Sequence, residues 1–320
     1  MAVYTEVTDE EVRAFVAEYD IGEVVSYQGI AEGVENSNFL LRTTRGTYIL
    51  TLYEKRVRGE DLPFFLGLME HLAKGGIACP TPLHGRDGPA LRRLCGRPAA
   101  IVTFLEGMWP RRILPAHCSA LGEAMARLHL VAREFPLIRA NDLSLAGWRR
   151  LLQATAANAH SVQTGLAEEL GAELSKLEQA WPRGLPTGVI HADLFPDNVF
   201  YLDGKLSGII DFYFACNDVL AYDLAIGLNA WCFEPDLSFN ITKARLLLQA
   251  YRRRRPLEPG ELEALPLLAR GSALRFLLTR LYDWLFHPPG AFVKRKDPLE
   301  YLAKLRFHQR VAGPAAYGLD

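Results

Sequence analysis

The chain has 320 residues, 49% of them apolar and 23% charged, an ordinary globular composition. Its 36 basic and 37 acidic residues leave a net charge of −1, so no bulk field draws it to nucleic acid or to an anionic membrane. A chain of this length buries roughly 75% of its unfolded surface and can form two lobes, and no run of about 18 apolar residues reads as a membrane span.

The start, MAVYTEVTDEEVRAF, lacks the basic and apolar regions of a secretion signal. Thr8 and Glu11 stand in capping-box spacing. Val12, Phe15, Val16 and Tyr19 then form one helical face, with Gly22 as its stop. VVSYQGIAEGVENSNFLLRTTRGTYILTLYE reads as strand, glycine-bearing loop, strand, Arg45-Gly46 turn and strand. DLPFFLGLMEHLAKGG is a helix closed by Gly75 and Gly76, and two more strands are expected around Asp87-Gly88. After Gly107 the pattern turns helical: CSALGEAMARLHLVA, most of 142–181, and after Leu220 the runs LAYDLAIGLNAWCF, TKARLLLQAYRRR, SALRFLLTRLYDWLF and PLEYLAKLRFHQR. VIHADLFPDNVFYLDGKLSGIIDFY, between them, reads as a short strand pair. The expectation is an α+β, two-lobed fold. A β-rich lobe over 1–105 precedes a mainly helical lobe over 106–320, with a ligand cleft between them.

The five cysteines are scattered, with no Cys-x-x-Cys pair, which predicts free thiols in a reducing cytoplasm. The eight histidines show no zinc spacing. There is no GxxxxGK[ST] and no GxGxxG, so neither a P-loop nor a Rossmann site is expected.

HADLFPDN supplies Asp193 and, five residues on, Asn198, the shape of the kinase loop H-R-D-x-x-x-x-N. GIIDFY then puts Asp211 at a strand end. Phosphoryl transfer needs a carboxylate to orient and deprotonate a hydroxyl, and hard oxygens for a magnesium ion on the phosphates. Asp193 is therefore the candidate base, Asn198 and Asp211 the metal ligands, and His191 a brace for the loop. Asp197 reads as a turn residue. ATP is the expected co-substrate and Mg2+ the expected ion.

His-x-Asp with Asp-Phe-Tyr resembles the aminoglycoside phosphotransferase and choline kinase superfamily, which implies a protein-kinase-like two-lobed fold. GIAEGVENSNFLL, DLPFFLGLMEHL, HADLFPDNVF and IDFYFACNDVLAYDLAIGLNAWC are most similar to its bacterial homoserine kinase branch, over about residues 3–310. The resemblance implies ATP-dependent phosphorylation of the side-chain hydroxyl of L-homoserine. It places adenine near Thr103, Phe104 and Leu105, and the phosphates under a loop of Gly33, Asn36, Ser37 and Asn38. It makes Asp223 a helix anchor for the catalytic loop. One departure stands out: the strand position where the superfamily carries Lys or Arg is Thr51, and its helix partner falls near Phe65. Lys55 or Arg42 is a candidate replacement.

A zwitterionic substrate wants a guanidinium for its carboxylate and an acid or amide for its ammonium. Arg275 and Arg280 lie on a mostly apolar helix, and Asp218, Asn229 and Trp231 follow Asp211; all five are candidate substrate residues. His129 reads as a core histidine and Arg252 to Arg255 as a solvated face. The alternatives are a kinase of choline, ethanolamine, a sugar or an aminoglycoside, or an inactive nucleotide-binding scaffold. Tyr282, Trp284 and Trp231 could form the cage a choline site needs, whereas the basic run ARLLLQAYRRRRP argues against an aminoglycoside site. The expected partner is a small molecule, with the chain a monomer or homodimer.

Overall fold

The computed structural model describes residues 5–30, 36–54, 57–286 and 295–319. The chain divides into two compact units. The first takes 1–107, 135–137 and 207–213; the second takes 108–134, 138–206 and 214–320. Two short segments distant in sequence thus return to the first unit. Phe135 does so because its ring packs edge-on against Phe64 at 5.4 Å and tilts over His71 at 5.5 Å. Residues 207–213 are tied in by Ser207 Oγ, which donates to the Glu106 carbonyl at 2.8 Å, and by the Ile209 N–H, which donates to Ala78 at 2.9 Å.

In the first unit, α1 (Asp9–Val16) starts from the capping box expected at Thr8 and Glu11. The helix ends at Val16, earlier than Gly22, and Tyr19 stays buried beyond it. The sheet is antiparallel, in the order β1 (Val24–Gly29), β2 (Asn36–Thr43), β3 (Gly46–Tyr53), β5 (Arg97–Thr103), β4 (Arg92–Leu94). Alternate residues Phe39, Leu41, Leu50, Leu52, Ala99 and Ile101 form its core with Val12, Phe15 and Val16 of α1. Burying each large apolar side chain there stabilises the fold by roughly 1.5–3 kcal/mol. Helix α2 (Leu62–Lys74) follows β3. The hairpin between β4 and β5 turns at Cys95-Gly96, not at Asp87-Gly88. Both residues have positive φ (49° and 73°), as the tight two-residue turn requires, and Arg92–Leu94 is thereby free to pair with Arg97–Ala99.

The second unit pairs β6 (Thr187–Ile190) with β9 (Cys216–Val219), antiparallel. Between them, β7 (Val199–Leu202) and β8 (Lys205–Ile209) form a separate ribbon, and the last residues of β8 belong to the first unit. The strand pair expected in this stretch is therefore two pairs, because β6 finds its partner beyond Asp211. The helices are α3 (Pro115–Val131), α4 (Leu145–Ala159), α5 (Leu166–Ala180), α6 (Leu220–Trp231), α7 (Ile241–Arg254), α8 (Pro259–Phe286) and α9 (Pro298–Gln309). α6 is buried almost all round, as its unbroken apolar sequence requires. α3 packs against α7 so closely at Gly122 that a Cβ there would stand 2.1 Å from the Leu247 carbonyl oxygen.

The run Arg252 to Arg255 is not a uniformly solvated face. Arg255 turns inward, 5% exposed, and meets the buried Glu261 carboxylate at 2.9 Å, since the extended backbone after α7 re-aims it. All five cysteines are free. Among the described residues, no helix is long and apolar enough to cross a membrane.

Candidate active site

Strand β6 delivers the chain to His191, and side chains behind the next four residues fix their path. Ala192 has φ 63°, a left-handed conformation that a residue with a Cβ adopts only when its surroundings hold it there. The Asp223 carboxylate, on α6, accepts the N–H of His191 and the N–H of Ala192, both at 2.8 Å. From α8, Arg275 donates to the Ala192 carbonyl at 2.5 Å. Trp231, about two turns further along α6, donates its indole N–H to the Leu194 carbonyl at 2.7 Å. His191 Nδ1 accepts the Asp193 N–H at 3.3 Å, so the imidazole braces the loop from inside.

Asp223 is itself held. Its Oδ2 lies 3.1 Å from His129 Nε2, and His129 Nδ1 lies 2.8 Å from the Tyr251 hydroxyl. Burial alone would raise the Asp223 carboxyl. The hydrogen bond and charge of His129, the charge of His191 and the His191 N–H outweigh it and hold the group below the usual carboxylate range.

Asn198 closes a short 3-10 turn, Pro196–Asn198, and is 8% exposed. Its Nδ2 donates to the Asp193 carbonyl at 2.8 Å and to Asp193 Oδ2 at 3.1 Å. With both amide protons so directed, Asn198 Oδ1 is left as a hard acceptor. The Asp193 side chain is half-buried. Burial pushes its pKa up to about 6; Arg275 and Lys296 pull it down, Asp197 pushes it up, and Asn198 pulls it down. At neutral pH it is ionised yet close to its pKa, a state suited to taking a proton. Asp197 is exposed, with Lys296 Nζ at 3.6 Å.

The candidate substrate residues scatter. Trp231 and Arg275 sit behind the loop rather than in front of it, 0% and 1% exposed. Asn229 ties α6 to α8 and α9: its Nδ2 donates to Ala225 at 3.2 Å and Ala269 at 2.9 Å, and its Oδ1 faces His308 Nε2 at 3.2 Å. Asp218 accepts from Asn141 Nδ2 at 2.6 Å and from the Val219 N–H at 2.7 Å. Arg280 pairs with Glu300 at 2.6 Å and lies over the Tyr301 ring. A periodic sequence could not separate these inward uses from outward ones.

In the first unit, Asp211 follows β8 with φ 64°, a second left-handed residue. Asn36, Ser37 and Asn38, expected in a loop, open β2, where they pair with Tyr53, Leu52 and Thr51. The period-2 geometry of a strand splits them: Ser37 turns away from the asparagines and donates to Glu54 at 2.8 Å. Thr103 is closed by Thr81, whose N–H donates to its hydroxyl at 2.9 Å. Among the described residues, no hydrogen bond engages the backbone of Phe104 or Leu105. Gly33 and Lys55 lie outside the described residues. Arg42 is exposed, four residues and so about 13 Å along the strand from Asn38.

Among the described residues, no three His, Cys, Asp or Glu side chains gather into a metal cage. A magnesium ion needs none, because phosphate and water supply most of its octahedron. An amide oxygen such as Asn198 Oδ1 and a carboxylate such as Asp211 are the oxygen donors that ion takes, so the residues fit it.

A model of the phosphotransferase enzyme family matches residues 26–257. Over the full length of both chains, the sequence is 67% identical to a homoserine kinase of Paramagnetospirillum magneticum and 66% identical to one of Parvibaculum lavamentivorans. Among solved structures, a microcompartment-associated aminopropanol kinase superposes with a TM-score of 0.73 at 17% identity, covering 98% of this chain and 99% of that one. That likeness shows the fold: an α+β, kinase-like arrangement with an antiparallel sheet and a helical majority.

Proposed function

We propose that this chain, which belongs to the phosphotransferase enzyme family and within it to the homoserine kinases, transfers the γ-phosphoryl group of ATP to the side-chain hydroxyl of L-homoserine. The observation that carries the substrate is the full-length identity of 66–67% with curated homoserine kinases. The chemistry is supported by the Asp193–Asn198 pair.

Asp193 orients the incoming hydroxyl and accepts its proton as the hydroxyl oxygen bonds to the γ-phosphorus. The bond from that phosphorus to the bridging oxygen breaks, and ADP leaves with O-phospho-L-homoserine. Asn198 holds Asp193 through its Nδ2 and offers Oδ1 to magnesium, and Asp211 is the second ligand; their pairing on one ion rests on sequence spacing. Bound magnesium would neutralise charge on the phosphates. Phe104 and Leu105 are the backbone edge offered to adenine. Free thiols and the substrates of the reaction suit the cytoplasm.

The test is ADP release measured with magnesium and ATP, across homoserine, choline and an aminoglycoside. Turnover with homoserine at least about 100-fold above the others is expected. Equal or greater turnover with another acceptor would overturn the assignment.

A further inference from the structure

Asp197 and Lys296 stand together in the second unit, and the phosphoryl-transfer roles assigned above use neither. Lys296 Nζ lies 3.6 Å from Asp197 Oδ2, and the two side chains are 59% and 52% exposed. A pair so exposed contributes little to stability. Each charge can therefore exchange its partner for a ligand without leaving a buried group unpaired. The backbone beneath both is fixed. Asp197 sits in the Pro196–Asn198 turn, where the Asn198 N–H donates to the Phe195 carbonyl at 3.0 Å and the Phe195 N–H to the Asp193 carbonyl at 2.8 Å. Lys296 precedes Asp297, which caps α9 by accepting the Leu299 N–H at 2.8 Å and whose carbonyl accepts from Arg280 at 3.1 Å.

Phe195 joins this pair to the base. Its ring, only part-buried, stands edge-on to Phe276 at 4.8 Å, and Lys296 Nζ lies 5.4 Å from its centroid. Lys296 lowers the pKa of Asp193 and Asp197 raises it, so both charges are felt at the catalytic carboxylate. Arg275 acts on Asp193 too, but it is 1% exposed and committed to the Ala192 carbonyl. Arg280 is closed by Glu300 at 2.6 Å. Of these three cations, Lys296 is the one open to solvent.

We propose that Lys296 and Asp197 bind the head group of the acceptor, the lysine ammonium taking its carboxylate and the aspartate taking its ammonium, so that the turn carrying the base also selects an α-amino acid. The inference deepens the homoserine reading and rests on it. In an α-amino acid the two charges share one carbon, which suits a cation and an anion already 3.6 Å apart. The hydroxyl of homoserine lies two methylenes beyond that carbon, and the Phe195 ring offers those methylenes an apolar surface. Choline can satisfy only the aspartate and a neutral sugar neither charge, so the pair discriminates against both.

The experiment is steady-state ADP release by the full chain, with homoserine and ATP varied in turn. Lys296→Met and Asp197→Asn change exposed side chains and should melt as wild type does. Each should raise KM for homoserine about tenfold or more, with KM for ATP held and kcat reduced less than KM is raised. Lys296→Arg, which keeps the cation, should recover most of the loss. Inhibition by truncated acceptors separates the two contacts. Lys296→Met should weaken 4-hydroxybutyrate, which has only the carboxylate, and spare 3-amino-1-propanol, which has only the ammonium; Asp197→Asn should do the reverse. A KM for homoserine within about twofold of wild type in either folded variant overturns the inference alone, as does equal weakening of both truncated acceptors. A wild type that turns over choline or an aminoglycoside in preference to homoserine overturns the reading beneath it.

Discussion

Arg275 donates to the Ala192 carbonyl at 2.5 Å across 83 positions of sequence. Ala192 is the left-handed residue between His191 and Asp193, and its N–H is held at the same time by Asp223. One residue is thus gripped through both its flanking peptides, from α6 and α8 together. Phe276, at 4.4 Å from the guanidinium carbon, and Phe214 at 5.7 Å enclose the cation. Replacing Arg275 with Met leaves the Ala192 carbonyl unpaired, at a cost of roughly 1–3 kcal/mol in stability. The freed loop should also lower kcat about 10- to 100-fold with little change in KM for ATP. Arg275→Lys keeps a donor and the charge and should recover part of kcat. Denaturant unfolding and steady-state kinetics on both variants check this.

Asp193→Asn keeps the shape and removes the proton acceptor. Turnover should drop by about 10²- to 10⁴-fold, with ATP affinity by calorimetry unchanged. Unaltered turnover would remove Asp193 from the mechanism.

Asp211→Asn weakens a metal ligand rather than the base. Magnesium-dependent ATP affinity should fall about tenfold or more, and the magnesium concentration for half-maximal turnover should rise. Chelation of the metal with EDTA should stop turnover in the wild type. A magnesium titration identical to wild type would sink the ligand assignment.

Trp231→Phe removes only the donor to the Leu194 carbonyl. A buried acceptor left unpaired costs roughly 1–3 kcal/mol. The melting temperature should therefore fall, and kcat should drop several-fold while both KM values hold. A melting curve with matched kinetics separates this from loss of a substrate contact, which would raise KM for the hydroxyl substrate.

His308 gives the fold a pH dependence. Its ring is buried between Asn229 and Tyr317, and burial, with Lys304 nearby, pushes its pKa down to about 3. Below the ordinary value of 6.5 the unfolded chain binds a proton that the folded chain refuses. The stability this neutral histidine allows is therefore complete above about pH 6.5 and is lost as pH falls toward 3, with a slope approaching ~1.4 kcal/mol per pH unit. Urea unfolding between pH 7.5 and 5 should show the loss, and His308→Gln should flatten it.

Sequence alone determined what is local. The capping box at Thr8 and Glu11, the helix runs and the Asp193–Asn198 pair were legible because each partner lies within a few positions of the other, where backbone geometry sets the contact. Local reading misplaced the β4–β5 turn, since Asp-Gly and Cys-Gly both permit positive φ and only strand pairing chooses between them. It likewise put Asn36, Ser37 and Asn38 in one loop, when the ladder with β3 assigns them to opposite faces. The tertiary structure decided how Trp231, Asn229 and Arg275 are used. Each is a polar group on a helix apolar on several faces, and which neighbour lies within 3 Å depends on chain segments 37 to 83 positions away. Burial then forces the outcome, because a polar atom shut away from water must find a partner there. For Arg275 that partner is the carbonyl of the residue before Asp193.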